Sequence, residues 1–298
     1  MQRRTFLTLS ALAVFSPLPS LTQMNSRLFL YIGTYTGRTS EGIHGFHFDT
    51  ETGAFTQVMV QKGLTNPSFL ACDPQARTLF SVSETGQFDG KPGGGVSAFA
   101  RDSQTGVLTP LNHQPTQGGS PCYVSVDKTG RWLLTANYSS GNAAVFPILE
   151  NGELGPIACL VQHKGSSVNP QRQTAPHAHC ILLDAANRFA FVPDLGIDKV
   201  MIYAFDAETG QLQPAATPFF QTQPGAGPRH FTFHPNGQWA FVIQELNSTI
   251  TALAYDSATG ALSEIHTVPA LPADFTGQST CADIHVHPNG RFLYGSNR

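Results

Sequence analysis

The chain has 298 residues and a formal net charge of −3, and only 12% of its residues are charged, against about 25% in an average soluble protein. This low charge, together with 28 glycines, 21 prolines and 21 phenylalanines, favours an all-β protein with many turns and argues against a helical bundle or coiled coil. Because no cluster of lysines and arginines lies beyond the extreme N-terminus, no nucleic-acid partner is expected.

Residues 1–23 resemble a twin-arginine export signal. Arg3 and Arg4 precede a largely apolar run from Phe6 to Phe15, which is too short to span a bilayer comfortably. We expect a protein exported to the periplasm, with no stable membrane anchor, if this leader is functional, and a cytoplasmic protein otherwise. The alternative is a frayed N-terminal strand or helix.

From residue 26 onward, a repeat runs through the chain. A turn, an apolar strand and a polar tip recur at anchor positions 27, 76, 130, 187, 237 and 290, which lie 49 to 57 residues apart. A hairpin signal follows each of the first five anchors, as in KVMIYAFDAETGQLQP from Lys199. A proline and an alternating strand precede four of the anchors, as in GPRHFTFHPNG from Gly227.

About four short strands per repeat of roughly 50 residues are the signature of a β-propeller blade, so the sequence predicts a β-propeller. The alternative is a sandwich of unrelated hairpins. The recurrence of the same sequence patterns in successive repeats argues against it. Equivalent positions of successive blades form rings around the channel of a propeller. The ring seven residues after each anchor is polar throughout: Thr34, Ser83, Asn137, Asp194, Gln244 and Asn297.

The next ring is chemically mixed, which suits a specific site at the mouth of the channel. Its members are Tyr35, Glu84, Tyr138, Leu195, Glu245 and Arg298. The proline-containing phrase adds Ser68, Cys122 and Arg229 at one equivalent position, and His177 or His179 in its longer copy.

The chain contains five cysteines, at positions 72, 122, 159, 180 and 281. An odd number without close pairs is neither a disulfide framework nor a zinc-site spacing. We expect buried free thiols, with at most one bridge if the protein is exported. No cofactor motif is present, and no metal site is expected, although two histidines at i and i+2 are able to bind a metal if a carboxylate converges on them.

Several of these phrases resemble the lactonase family of seven-bladed propellers. The resemblance covers residues 28 to 298 and rests on PHAHCILLDAANRFAFVPDL, PGAGPRHFTFHPNGQWAFVIQEL and ADIHVHPNGRFLYGSNR. The family includes propeller-type 6-phosphogluconolactonases and fungal carboxymuconate lactonising enzymes. This sequence departs from the family pattern at Gln244, where asparagine is usual, and at Gly295, where valine is usual.

The resemblance implies a site made of a histidine, an arginine, a glutamate and a further arginine. These map onto His177 or His179, Arg229, Glu245 and Arg298. We expect a histidine or Glu245 to activate water, and Arg229 with Arg298 to hold anionic groups of the substrate. Further substrate contacts are expected from the polar tips Asn137, Asp194, Gln244 and Asn297.

The expected function is hydrolysis of a sugar lactone, as in the conversion of 6-phospho-D-glucono-1,5-lactone to 6-phosphogluconate, by a monomer whose partner is the small-molecule substrate. An exported protein would favour another lactone, since the phosphorylated lactone is a cytoplasmic metabolite. The alternatives are a muconate-type lactonising enzyme and a non-catalytic propeller that binds a ligand or protein.

The length of the chain also bears on the propeller. About 270 residues remain after the leader, which is enough for five repeats and part of a sixth. Since the resembled family closes its ring with seven blades, we expect the chain to be a fragment that lacks on the order of 70 C-terminal residues and is inactive or unstable alone.

Overall fold

The computed structural model describes residues 28–37 and 39–298, in which 23 β-strands and one short 3-10 helix are present. The predicted export signal lies outside the described residues.

Three of the sheets are four-stranded antiparallel meanders of consecutive strands. Sheet 3 contains β10 (Pro121–Val126), β11 (Trp132–Asn137), β12 (Asn142–Pro147) and β13 (Cys159–Gln162). Sheet 4 contains β14 (Leu182–Leu183), β15 (Phe189–Asp194), β16 (Lys199–Asp206) and β17 (Gln211–Gln221). Sheet 5 contains β18 (Pro228–Phe233), β19 (Trp239–Gln244), β20 (Thr249–Tyr255) and β21 (Leu262–Pro269).

The remaining sheets follow the same plan with small differences. Sheet 2 has four strands and carries a small extra hairpin, β6–β7, between its second and third strands. Its strands are β4 (Leu70–Cys72), β5 (Thr78–Ser83), β8 (Gly95–Arg101) and β9 (Leu108–Pro115), and the hairpin is β6 (Gln87–Phe88) and β7 (Lys91–Pro92). Sheet 1 has β1 (Leu28–Ile32), β2 (Gly42–Phe48) and β3 (Phe55–Lys62). Sheet 6 has β22 (Cys281–Val286) and β23 (Leu293–Asn297).

These sheets confirm the all-β prediction and the four-strand repeat. The apolar strand of the anchor phrase is the second strand of sheets 2 to 6 and the first strand of sheet 1. The hairpin turn joins the last two strands in each of sheets 1 to 5. In sheet 4, Asp206 accepts hydrogen bonds from Glu208 N at 2.9 Å and Thr209 Oγ1 at 2.6 Å. Gly210 then takes a φ of +71°, which a residue without Cβ adopts at little cost. These hydrogen bonds and the positive φ of the glycine stabilise the hairpin turn.

The apolar core lies between successive sheets. One cluster joins sheets 2 and 3, a second joins sheets 3 and 4, and a third joins sheets 4 and 5. In the third cluster, Phe191 of sheet 4 stacks on Phe231 of sheet 5 with ring centroids 5.2 Å apart. Packing of each sheet against the next in chain order is typical of propeller blades. A sandwich of unrelated hairpins, the alternative, does not predict this order of packing.

The described residues also bear on the expected free thiols and on the expected lack of a membrane anchor. All five cysteines are free; four are buried, and Cys72 is exposed. None of the helices in residues 28–37 and 39–298 is long and apolar enough to cross a bilayer. That the chain is a fragment of a longer propeller stays a prediction.

Candidate active site

A cavity of about 430 Å³ opens among the sheets, and most of its lining comes from two equivalent positions. The first position follows the strand of the anchor phrase, which is the first strand of sheet 1 and the second strand of sheets 2 to 6, and it corresponds to the chemically mixed ring. Its lining members are Tyr35, Glu84, Tyr138, Glu245 and Arg298. Leu195, the remaining member of that ring, is fully buried in the 3-10 helix (Leu195–Ile197) and does not line the cavity.

The second position lies at the start of a first strand, where a β-bulge interrupts the ladder. The pairing of β10 with β11 shifts register between Pro121 and Tyr123, so Cys122 has no cross-strand partner. The same shift leaves Arg229 unpaired in sheet 5, and sheet 6 has its shift around Asp283. Because a bulge re-aims a side chain, the three bulges bring these side chains into the lining of the cavity.

Glu245 is the centre of the charged groups in the cavity. Its carboxylate is 2% exposed, and three guanidinium groups approach it. Nη2 of Arg172 lies 2.7 Å from Oε1, Nε of Arg229 lies 2.9 Å from Oε2, and Nη2 of Arg298 lies 3.5 Å from Oε2. Arg229 is fixed further by donation from Nη1 to Ala282 O at 2.7 Å. A carboxylate bound in this way is an acceptor that holds cations in place.

His179 is the histidine of the PHAH phrase that lines the cavity. Burial lowers its pKa well below the usual 6.5, and the nearby charge of Arg229 lowers it further. Its Nδ1 lies 3.5 Å from Cys122 Sγ, and its Nε2 lies 3.9 Å from Oε2 of Glu245. Nε2 makes no hydrogen bond to any of residues 28–37 and 39–298. His179 is therefore a neutral imidazole with one ring nitrogen available to a ligand or water.

His177 takes a different position. Its ring stacks on Tyr138 with centroids 4.5 Å apart, and its Nδ1 lies 3.0 Å from the Tyr138 carbonyl oxygen. It is not part of the cavity lining. Of the two histidines that the sequence left open, the structure brings only His179 together with Arg229, Glu245 and Arg298.

The comparisons with known proteins agree with this architecture. The model of the lactonase family, described as a 7-bladed β-propeller, matches residues 29–298. The chain belongs to this lactonase family. It is 40% identical to the 6-phosphogluconolactonase of Bacillus subtilis, across 90% of this chain and 74% of that protein. It is 32% identical to the 6-phosphogluconolactonase of Formosa agariphila, across 90% and 75%. The solved structure of the periplasmic gluconolactonase of Pseudomonas aeruginosa matches with a TM-score of 0.85 at 35% identity, across 91% of this chain and 76% of that one.

In this member of the lactonase family, the polar strand tips do not line the cavity. Asn137, Asp194 and Gln244 are buried, and they bond to neighbouring residues. Asp194 accepts from His163 Nδ1 at 2.6 Å, from the backbone nitrogen of His177 at 2.7 Å and from that of Gly196 at 3.0 Å. The Asn297 amide donates to Ser279 Oγ and Cys281 Sγ. The substrate contacts expected of Asn137, Asp194, Gln244 and Asn297 are thus not among the contacts that the cavity offers.

Three polar residues that line the cavity of this lactonase-family chain were not assigned to the site from the sequence. His230 and Asp283 form a pair, with Nδ1 of the histidine 2.7 Å from Oδ1 of the carboxylate. Burial lowers the pKa of His230, while the hydrogen bond to Asp283 opposes that effect. Burial raises the pKa of Asp283, but hydrogen bonds from His230 and from His285 outweigh it and leave that pKa far below 3.8. The third residue is Arg172, whose only sequence signal is the length of the connection before β14.

Among the described residues, no group of three or more histidine, cysteine, aspartate or glutamate side chains is arranged to hold a metal ion. Each carboxylate that lines the cavity instead accepts hydrogen bonds from side chains of the described residues. Glu84 accepts from the hydroxyls of Tyr35 and Ser68. Burial and the hydrogen bond to Glu84 raise the pKa of Tyr35 to about 12, so this phenol stays protonated at neutral pH.

Proposed function

We propose that the protein hydrolyses a sugar lactone in the cavity around Glu245. Membership of the lactonase family makes the chain a lactone-hydrolysing enzyme. The observation that carries the site is the grouping of three guanidinium groups on Glu245 beside the neutral His179. The relatives named 6-phosphogluconolactonase and gluconolactonase support a sugar lactone as the substrate class.

The geometry supports a mechanism by direct attack of water. Nε2 of His179 accepts a proton from the water as its oxygen bonds to the lactone carbonyl carbon. Negative charge then develops on the carbonyl oxygen, where the guanidinium of Arg229 stabilises it. The bond between that carbon and the ring oxygen breaks, and the proton on His179 passes to the leaving ring oxygen. The products are a free hydroxyl and a carboxylic acid, which ionises at neutral pH.

Glu245 has a positioning role in this mechanism. Both of its oxygens are occupied by guanidinium groups at 2.7 and 2.9 Å, so it is poorly placed to take a proton from water. Its charge fixes the orientation of Arg229 relative to His179. In this mechanism a histidine is the base, and Glu245 holds the guanidinium groups in position.

The test is an assay of D-glucono-1,5-lactone and its 6-phosphate with the purified 298-residue protein, in which a pH indicator follows release of acid. We expect turnover above the spontaneous rate, which would contradict the expectation that the 298-residue chain is inactive alone, and a loss on the order of 10²-fold in Arg229→Ala. Arg131→Ala is the matched control, because Arg131 also pairs with a glutamate but does not line the cavity. Turnover that survives Arg229→Ala contradicts the site, and a folded protein without turnover of either lactone supports the binding-module alternative.

We also propose that residues 1–23 direct export and that the mature protein acts as a monomer. The twin arginines and the likeness to a periplasmic gluconolactonase support export. Replacement of Arg3 and Arg4 by lysine is expected to retain the protein in the cytoplasm, and an unchanged location contradicts export. Light scattering of the purified protein tests the monomer.

A further inference from the structure

Arg172 reaches the cavity from a long connection and not from a strand. Residues 163–176 lie between β13 and β14, outside every sheet. From this connection, Nη2 of Arg172 contacts Oε1 of Glu245 at 2.7 Å and the Tyr138 hydroxyl at 3.1 Å. Connections outside the sheets are generally the more mobile parts of a fold, so a charged side chain held at these distances requires a fixed backbone.

Gln173, the next residue, fixes that backbone. It is fully buried, and its Nε2 donates to Leu195 O at 2.8 Å and to Oδ1 of Asp198 at 2.7 Å. Its Oε1 accepts from the backbone nitrogen of Asn169 at 3.1 Å. The side chain of Asn169 in turn accepts from the backbone nitrogen of Arg172 at 3.1 Å. Both ends of the Gln173 amide therefore hold Arg172 in place.

Asp198 links this connection to the strand that carries Arg229. Its carboxylate is fully buried, and Oδ1 accepts both from Gln173 and from the backbone nitrogen of Gly227 at 2.7 Å. Oδ2 accepts from the backbone nitrogen of Gly225 at 2.7 Å. Gly227 lies two residues before Arg229. One buried carboxylate thus sets the relative positions of two of the guanidinium groups on Glu245.

Several cations share the carboxylate of Glu245. Three guanidinium groups approach it, whereas the other two acids of the cavity bond elsewhere, Glu84 to hydroxyls and Asp283 to the rings of His230 and His285. Nε and Nη1 of Arg172 make no hydrogen bond to residues 28–37 or 39–298. Cations that share one carboxylate repel one another, and a bound anion relieves that repulsion.

We propose that Arg172 binds an anionic group, a phosphate or a carboxylate, on the lactone substrate, and that Asp198 is the residue that positions it. This inference rests on the proposed lactone hydrolysis and adds the substrate class to it. Arg172 then determines specificity for anionic over neutral lactones. Asp198 acts through Gln173, Ser167 and the glycines before Arg229.

The test compares D-glucono-1,5-lactone with its 6-phosphate as substrates of the full chain and of Arg172→Gln. We expect the ratio of KM for the phosphorylated lactone to KM for the neutral lactone to rise about 10- to 100-fold, since a charge-assisted hydrogen bond to the anionic group is lost. Asp198→Asn is expected to change the same ratio in the same direction by a smaller factor. Arg131→Gln and Asp206→Asn are the matched controls, which leave both KM values unchanged.

Binding of the product 6-phosphogluconate, measured by calorimetry, separates this inference from the proposed function. We expect Arg172→Gln to weaken product binding about 10- to 100-fold even if the protein hydrolyses neither lactone. If the protein hydrolyses both lactones and Arg172→Gln retains the original KM ratio and product affinity, the inference is overturned. If Asp198→Asn lowers the melting temperature but leaves the KM ratio unchanged, Asp198 is structural and its positioning role is overturned.

Discussion

Nε of Arg229 lies 2.9 Å from Oε2 of Glu245, although one residue begins sheet 5 in a β-bulge and the other follows the second strand of that sheet. The first and second strands pair as Pro228 with Gln244, so the bulge and the strand end meet at one edge of the sheet. The ion pair is therefore built within a single blade. The neighbouring elements then bring Arg172, Arg298 and His179 to it.

Glu245→Gln is expected to lower kcat/KM about 10²-fold, because the amide no longer orients the guanidinium groups that meet the developing charge. It also leaves the mostly buried Arg229 without its anion, which we expect to cost about 2 kcal/mol of unfolding free energy. Kinetics and chemical denaturation measure the two effects. Glu208→Gln, which removes the exposed partner of Arg131, is the control, and equal effects of the two substitutions would refute the assignment.

The pKa of His179 predicts the acid limb of the pH profile. Burial lowers this pKa well below 6.5, so the imidazole stays unprotonated as the pH falls through 6.5. We expect kcat/KM, which reports the free enzyme, to stay constant through that pH and to fall only at lower pH. A loss of half the activity near pH 6.5 would show that another group is the base.

The same shift affects stability in a defined direction. A histidine whose pKa is lower in the folded than in the unfolded protein takes up its proton on unfolding. The free energy of unfolding therefore falls as the pH drops below about 6.5, until the folded-state pKa is reached. We expect His179→Asn to reduce this slope in denaturation curves measured between pH 7 and 5. Phe55→Ala, an exposed substitution that removes no titratable group, is expected to leave the slope unchanged.

Phe191 tests the packing between sheets 4 and 5. Its ring is fully buried and stacks on Phe231. Phe191→Ala is expected to reduce the free energy of unfolding by about 3–5 kcal/mol, through lost burial and the cavity left behind. Phe55, which is 61% exposed, provides the control, because Phe55→Ala removes little buried surface. Denaturant titration that gives similar losses for both variants would contradict the described core.

The cysteines predict a simple labelling pattern. Only Cys72 is exposed, and burial raises the pKa of the Cys122 thiol well above 9.0. We expect one rapidly alkylated thiol in the native protein and five after denaturation, identified by peptide mass spectrometry. Cys72→Ser should abolish the rapid reaction. Fewer than five reactive thiols in the unfolded, unreduced protein would reveal a disulfide.

Much of the fold could be predicted because each blade is a contiguous segment whose turns and apolar alternation are local. The phase of the repeat also identified Tyr35, Glu84, Tyr138, Glu245 and Arg298 as one ring, and all five line the cavity. The neighbouring ring of polar tips could not be interpreted in the same way. The sequence shows that these residues end strands, but not that the side chains of Asn137, Asp194 and Gln244 are buried in hydrogen bonds to their neighbours.

The repeat pattern could not predict that Arg172 lies in the cavity, for a physical reason. Its position depends on Gln173 and Asp198, which are 25 residues apart in sequence and meet only when the connection folds against the next blade. No periodicity records such a contact. The separation of His177 from His179 depends likewise on stacking against Tyr138 from another sheet.

The bulges at Cys122, Arg229 and Asp283 leave these residues outside the cross-strand ladder. A substitution at one of these positions changes the chemistry of the cavity without disturbing a cross-strand residue pair of the sheet. Descendants of one ancestral propeller can therefore diverge in what they transform by exchanging a few side chains, while the scaffold is inherited intact.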